Sequence, residues 1–350
     1  MYPRMDQSPS ETPLPVAVVI PCYKAKRHIE EVLAGLAGRV RDIYVVDDCC
    51  SEKTGRFVQE GWKDANVSVV FLTENQGVGG AVLAGYRQAL KDGYEIVVKM
   101  DSDNQMDPAY LPALVAPLVH GEADYAKGNR FFDVYSLGAM PMVRLLGNAG
   151  LSFIVKMASG YWDIMDPTNG YTAIHRVALR RLPLDRLDRR YFFECDMLFR
   201  LATIRAVVRD VPMPARYEDE ISNLKVSRVL LEFPWRLFSC MLKRFFYIYI
   251  LRDFNIGSVE TIFGVVLLMF GIIFGVWHWI LSAVSGQFAS TGTIMLAVLP
   301  FVIGAQLLLS ALGYDIANRP TNPLAGDAST LLRFPARRCI EESDLQASDP

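Results

Sequence analysis

Residues 99 to 108 read KMDSDNQMDP, with Asp101 and Asp103 standing directly after a short β-branched run. In an extended chain, residues two apart project to the same side. The two carboxylates and the amide oxygen of Gln105 can then converge on one hard cation. Mg2+ or Mn2+ suits such oxygen ligands, and an ion there would offset the charge that grows on a departing diphosphate. An isolated Asp-x-Asp is a weak signal because turns are rich in Asp. Its place at the end of a hydrophobic strand is what strengthens it.

Other residues carry compatible chemistry. Arg130 in GNRF and Arg144 in PMVRLLGNAG offer guanidinium groups, which bind phosphate oxygens through paired hydrogen bonds. Asp166 opens DPTNGYTAIHR, either as a ligand-orienting carboxylate or as an ordinary turn residue before proline. Glu194 and Asp196 in YFFECDMLFR stand where they could help close a site. The GVGG segment, Gly77 to Gly80, opens a helix without the lysine and hydroxyl pair of a Walker motif, so close helix packing is at least as good a reading as phosphate binding. His28, His120, His175 and His278 lack metal-ligand spacing, and no Ser-His-Asp pattern outranks the acidic pair. The 6 cysteines form no CxxC pair, which fits reduced thiols.

Short apolar runs alternating with longer amphipathic ones would position these groups. Val16–Ile20, Ile43–Val46, Val67–Leu72 and Glu95–Met100 read as strands, with helices over Arg27–Ala37 and Gly79–Leu90 between them. Apolar strands separated by helices predict a doubly wound, Rossmann-like α/β domain with a mostly parallel sheet. Ligands bind such sheets beyond the carboxyl ends of the strands. Pro21 to Lys24, Asp47 and Asp48, Asn75 and Asp101 to Asp103 all fall at those ends.

The last third changes character. Ile262–Val284 and Ile294–Leu312 are nearly unbroken apolar runs, each close to the roughly 20 residues that cross a bilayer core. The link SGQFASTG is uncharged. Lys243, Arg244 and Arg252 precede the pair, and Arg319, Arg333, Arg337 and Arg338 follow it, which predicts a hairpin with both flanks and the α/β domain in the cytoplasm. The expected organisation is a disordered N-terminus over 1–15, a catalytic domain over 16–227, interfacial amphipathic helices over 228–257, a two-helix transmembrane hairpin over 258–317 and a cytoplasmic tail over 318–350 that reads as largely disordered after Asn318. A net charge of −2 gives no reason to expect nucleic acid as a partner.

The stretches VAVVIPCYKAKRHIEEVL, YVVDDCCSEKTG, ENQGVGGAVLAGYRQAL and VKMDSDNQMDP follow one another as in a GT-A glycosyltransferase of family 2. With the apolar hairpin behind them, the chain resembles the polyprenyl-phosphate sugar transferases of the dolichol-phosphate mannose synthase and undecaprenyl-phosphate glucosyltransferase type. The resemblance implies a metal-dependent enzyme moving a hexose, with inversion, from a UDP- or GDP-sugar to a polyprenyl phosphate at a membrane. It implies nucleotide-sugar contacts from Pro21, Tyr23, Val46, Asp48, Asp101, Ser102, Asp103 and Arg216. Asp101, Asp103 and Gln105 would hold the Mg2+ or Mn2+, and Asp166 would join Asp101 and Asp103 as a catalytic residue. Arg130, Arg144, Arg216, Ser222 and Lys225 would bind the lipid phosphate or diphosphate, the last three from ARYEDEISNLK. The chain departs from the family at Lys24 and Ala25, where Asn-Glu is usual, and at Cys49 and Cys50, where Gly-Ser is frequent, so the base is left open. Expected partners are the nucleotide sugar, the polyprenyl phosphate and membrane lipid; a homo-oligomer is compatible with all of this. Two rival readings are a polysaccharide synthase, which would show a Gln-x-x-Arg-Trp motif and a larger channel, and a silent scaffold that binds nucleotide sugars.

Overall fold

Leu14–Cys22 (β1) is buried from Val16 to Cys22, as its β-branched run predicts for a strand covered on both faces. The computed structural model describes residues 13–132, 142–214 and 226–326. Leu14 and Pro15 already belong to β1, so the expected disordered N-terminus reaches too far by those residues; residues 1–12 lie outside the described ones.

Helices Ile29–Leu36 (α1), Thr54–Gly61 (α2) and Gly77–Lys91 (α3) alternate with strands Val40–Asp47 (β2), Val67–Phe71 (β3) and Ile96–Lys99 (β4). Helix Leu111–Val119 (α4) leads to strand Tyr125–Asn129 (β5). Helix Met142–Ser159 (α5), strand Thr172–His175 (β6), helices Arg176–Arg181 (α6) and Phe193–Thr203 (α7) and strand Val208–Pro212 (β7) complete the domain. Among the described residues the strands form one sheet in the order β3-β2-β1-β4-β6-β5-β7. Parallel pairing joins β3, β2, β1 and β4, and again β5 and β7, whereas β6 runs antiparallel to both β4 and β5. The mostly parallel sheet is thus present with one reversed strand, and the β4–β6 seam lies beside Asp101.

Strand alternation divides the core between the two faces. Val18, Ile20 and Val98 pack with Leu33 and Leu114 on one side, while Val19, Val97 and Ile174 pack with Tyr86 and Phe193 on the other. The edge strand β3 is only partly buried, unlike its neighbours.

Past the domain, Val226–Phe245 (α8) runs through a π-helical turn, Phe246–Arg252, into Ile256–Ser285 (α9), which pairs with Thr291–Ala317 (α10). Both helices outrun the apolar stretches because caps set their ends. The Asn255 side chain accepts from the Ser258 amide and Ser258 answers in a capping box, Gly286 closes α9 at φ 67°, and the Ser290 side chain caps α10. Only 11% and 6% of their most apolar windows are buried, which separates them from core helices. Gly264, Gly271 and Gly304 let the two backbones approach, since a Cβ at Gly304 would meet the Leu268 backbone nitrogen.

One carboxylate gathers several of the bonds that tie the hairpin to the α/β domain. Asp315, near the end of α10, accepts from Arg244 Nη1 at 2.8 Å and Nη2 at 2.9 Å, from Trp162 Nε1 at 2.9 Å and from the Tyr249 hydroxyl. Arg244 also donates to the Met157 carbonyl at 2.9 Å and is buried. The segment after Asn318, expected to be disordered, is docked as far as Ala325. The amides of Leu324 and Ala325 donate to the buried carboxylate of Asp124, and Arg319 pairs with Asp163.

Candidate active site

The carboxyl ends of β1, β2 and β4 share one edge of the sheet, and the chain turns sharply at the end of β4. Residues 101–106 form a turn rather than extended chain, with Asn104 in the left-handed region at φ 61°. Asn104 Nδ2 donates to Glu31 at 2.8 Å, and the Gln105 amide donates to Asp103 Oδ1 at 3.1 Å. The turn, not strand alternation, therefore gathers Asp101, Asp103 and Gln105 onto one cavity of about 120 Å3. Arg130, Thr168, Asn169 and Gly170 line its other side.

Each wall is held by a cation from inside the sheet. Lys99 is 1% exposed, and its ammonium stands 2.8 Å from Asp101 Oδ1, 3.1 Å from Glu194 Oε1 and 3.2 Å from the Gly170 carbonyl. Burial works against the charge on Lys99, but the Asp101 and Glu194 carboxylates outweigh it and hold this ammonium above the ordinary lysine range. On β5, fully buried Lys127 donates to the Asn169 carbonyl, and burial pushes its basicity down. The two ammonium groups thus pin successive carbonyls of the Asn169–Gly170 loop. A Cβ at Gly170 would run into both Asp101 and Lys99, so only glycine lets the pair form.

Arg130 is set by Asp166. Its Nε donates to Oδ2 at 2.7 Å and its Nη2 to Oδ1 at 3.1 Å, a bidentate pair that aims a guanidinium one-third exposed at the cavity. Asp166 itself has no exposed surface. The direct contact with acceptor or sugar expected of Asp166 is therefore corrected: its carboxylate is turned onto Arg130.

Other expectations at this edge also change. Val46 is fully buried in the core and presents no surface to a nucleotide. Asp48 is 3% exposed and accepts from the Gln76 and Gly77 amides at 2.7 and 2.8 Å, so it caps α3 instead of facing a base or ribose. Its neighbour Asp47 does the same for α2 through the Gly55 amide at 2.6 Å. The amides opening α3 are occupied in this way, and Gly77 and Gly79 pack against the Asp188–Arg190 backbone, which favours the packing role for GVGG. Asp196 accepts from Asp188 and Arg200 and serves α7 rather than the cavity. Pro21 is buried, Tyr23 is exposed at the end of β1, and Ser102 is half-buried beside Asp101. The side chain of Arg144, within α5, and residues Arg216, Ser222 and Lys225 lie outside the described ones.

The donor set fits a divalent ion that brings further ligands with it. Among the described residues no group of three or more Asp, Glu, His or Cys could enclose a metal. Asp101, Asp103 and the Gln105 amide oxygen on one cavity, with Asp107 also in its lining, match the way Mg2+ is held when substrate phosphates complete its shell. Asp101 Oδ1 is buried and faces the Lys99 ammonium at 2.8 Å.

Lys99, Lys127 and the Asp166–Arg130 link were not legible as site residues from sequence. The available signal was a lysine inside each of two buried strands, VVKM and YAKGN, where a charge needs a partner.

The chain is similar to known proteins. The model of glycosyl transferase family 2 matches residues 17–182. Undecaprenyl-phosphate mannosyltransferase of Micrococcus luteus is 31% identical over 216 residues, spanning 61% of this chain and 87% of the relative. Undecaprenyl-phosphate 4-deoxy-4-formamido-L-arabinose transferase of Klebsiella pneumoniae is 25% identical over 351 residues, 95% of this chain and 96% of the relative. A crystal structure of glucosyl-3-phosphoglycerate synthase from Mycobacterium tuberculosis, in complex with Mn2+, UDP and glucosyl-3-phosphoglycerate, aligns with a TM-score of 0.48 at 20% identity, covering 65% of this chain and 79% of that one. With the acidic turn, the strand-edge cavity and the matched stretch all in one domain, the chain belongs to glycosyl transferase family 2.

Proposed function

We propose that the protein transfers a single hexose, with inversion, from a UDP- or GDP-sugar to a polyprenyl phosphate at the cytoplasmic face of a membrane. The observation that carries this reading is the join between an acidic strand-edge cavity and a pair of apolar helices in one chain, the two locked through Arg244 and Asp315. Relatives named as undecaprenyl-phosphate and dolichyl-phosphate sugar transferases support the acceptor class.

Asp101, Asp103 and Gln105 would hold Mg2+ or Mn2+, which when bound stabilises the negative charge gathering on the nucleoside diphosphate. Arg130, aimed by Asp166, binds phosphate oxygens across the cavity. An oxygen of the lipid phosphate attacks the anomeric carbon, the bond to the diphosphate breaks on the opposite side, and the configuration inverts. The acceptor is already an anion near neutral pH, so no general base is required, and positioning carries much of the rate.

Membrane placement follows from the faces of α8 and its extension. Trp235, Phe238, Leu242 and Phe246 are exposed along one side, while Leu237 and Cys240 are buried against the α/β domain. Such an apolar face suits the headgroup and acyl boundary. Lys243, Arg252 and Arg319 flank helices whose connecting link carries no charge, which favours the cytoplasmic side.

The test is a panel of UDP- and GDP-sugars offered to the purified full chain with a polyprenyl phosphate and Mg2+ or Mn2+. One donor is expected to give an organic-extractable product; tight nucleotide binding with no product from any donor would instead support a silent scaffold.

A further inference from the structure

The acidic pair that opens the cavity does not stand alone: a buried ammonium sits behind it. Lys99 is placed by β4 beneath Asp101, 2.8 Å from Oδ1, with Glu194 of α7 on its other side at 3.1 Å and the Gly170 carbonyl at 3.2 Å. Its side chain is 1% exposed, so it cannot swing into the cavity to meet a ligand. Glycine at 170 is required for this approach. One carboxylate of the proposed ion site thus carries its own counter-charge; Asp107 also lines the cavity, but its Oδ1 accepts from the Ala109 amide at 2.9 Å, and among the described residues no group of three or more Asp, Glu, His or Cys is placed to hold an ion.

Resting on the metal reading above, we propose that Lys99 is a positioning residue that acts through Asp101 as a built-in counter-cation, so that the cavity keeps a divalent ion only together with the donor diphosphate. The ammonium fixes the carboxylate in place and offsets its charge, which weakens the hold on a free ion. The diphosphate then supplies both the missing oxygen ligands and the missing negative charge. No covalent step is involved; Lys99 acts on the order in which ligands assemble.

The test is a titration of the purified full chain with Mn2+, reading bound and free ion by electron paramagnetic resonance, without nucleotide and then with saturating UDP or GDP. The wild type should retain Mn2+ at least tenfold more tightly with one of the nucleotides than without. Lys99→Met, which keeps the length of the side chain, should bind Mn2+ alone at least tenfold more tightly than the wild type. Lys99→Arg, which keeps the charge, should behave as the wild type. If Lys99→Met is unstable because Glu194 is left unpaired, Lys99→Met/Glu194→Gln removes both charges and should show the same tenfold gain. Unchanged or weaker binding of Mn2+ alone in a folded charge-deleted variant overturns the counter-cation role while leaving the metal reading in place. If neither the wild type nor the variants bind Mn2+ even with both nucleotides tried, the metal reading falls, and this proposal falls with it.

Discussion

Two carboxylates, Asp101 at the cavity and Asp315 at the domain–hairpin junction, are each faced by a buried cation, yet their surroundings assign them different work. Asp315 takes hydrogen bonds from Arg244, Trp162 and Tyr249, so its oxygens are saturated and the group is a fastener. Asp101 is paired with Lys99 through Oδ1 but keeps 29% of its side chain exposed and lines a cavity, so it retains capacity for a ligand. A buried ion pair is thus informative through what it leaves unsatisfied. Arg130 and Asp166 are intermediate: the acid is saturated and buried, and the base it aims reaches the cavity.

That contrast can be broken at either end. The largest effect is expected from Asp103→Ala, which should lower turnover by at least ~10^3-fold with the melting temperature unchanged, as removal of an electrostatic stabiliser of the leaving group does. Parallel loss of stability and turnover would mean that Asp103 belongs with Asp315 instead. Arg244→Ala should do the reverse. Leaving Asp315 with an unpaired charge should cost about 3–5 kcal/mol, seen as a lower thermal midpoint in detergent, while any folded fraction keeps its affinity for nucleotide.

Between these, Asp166→Asn keeps the size of the side chain but weakens its hold on Arg130. A fall of about 10–100-fold in kcat/KM is expected, in line with the ~1.4–2.8 kcal/mol that a charge-assisted bidentate contact supplies. If the variant lost folding but not kcat/KM, the aiming role would be wrong.

The smallest effect concerns stability alone. Burial pushes the Asp210 carboxyl from 3.8 up to about 6, and one of its oxygens has no hydrogen-bond partner among the described residues. The folded state therefore holds this proton more tightly than the unfolded chain. Its stabilising share is complete below pH 3.8 and is lost as pH rises through about 6. Asp210→Asn should leave low-pH stability little changed and raise it near neutrality, on the order of 2 kcal/mol. Melting curves from pH 4 to 7 should flatten in the variant; an unchanged slope would contradict the assignment.

The sequence carried those features that depend on local pattern. Val16–Ile20 and Glu95–Met100 could be read as strands because β-branched runs announce buried strands, and the acidic turn could be placed because it follows one of them. What escaped reading depends on partners far along the chain. Asp48 looks like a ligand residue until the amides of Gln76 and Gly77 are found beside it, and Asp166 until Arg130 is. The segment after Asn318 looks unstructured by composition, yet Asp124, some 200 residues earlier, captures its amides. Strand β6 reverses between β4 and β5, a choice that no local signal at Thr172–His175 encodes. The motif at Asp101 and Asp103 was visible, but Lys99 beneath it was hidden in an apolar run where a lysine reads as a flank.

The most direct test is the product itself. The full chain reconstituted into vesicles that contain a polyprenyl phosphate, supplied with the accepted nucleotide sugar and Mg2+, should yield one species whose mass equals the lipid phosphate plus a single hexose. Its anomeric configuration should be opposite to that of the donor, and Asp103→Ala should make none. A polymer, a sugar attached to a soluble acceptor, or retained configuration would contradict single transfer to a lipid phosphate.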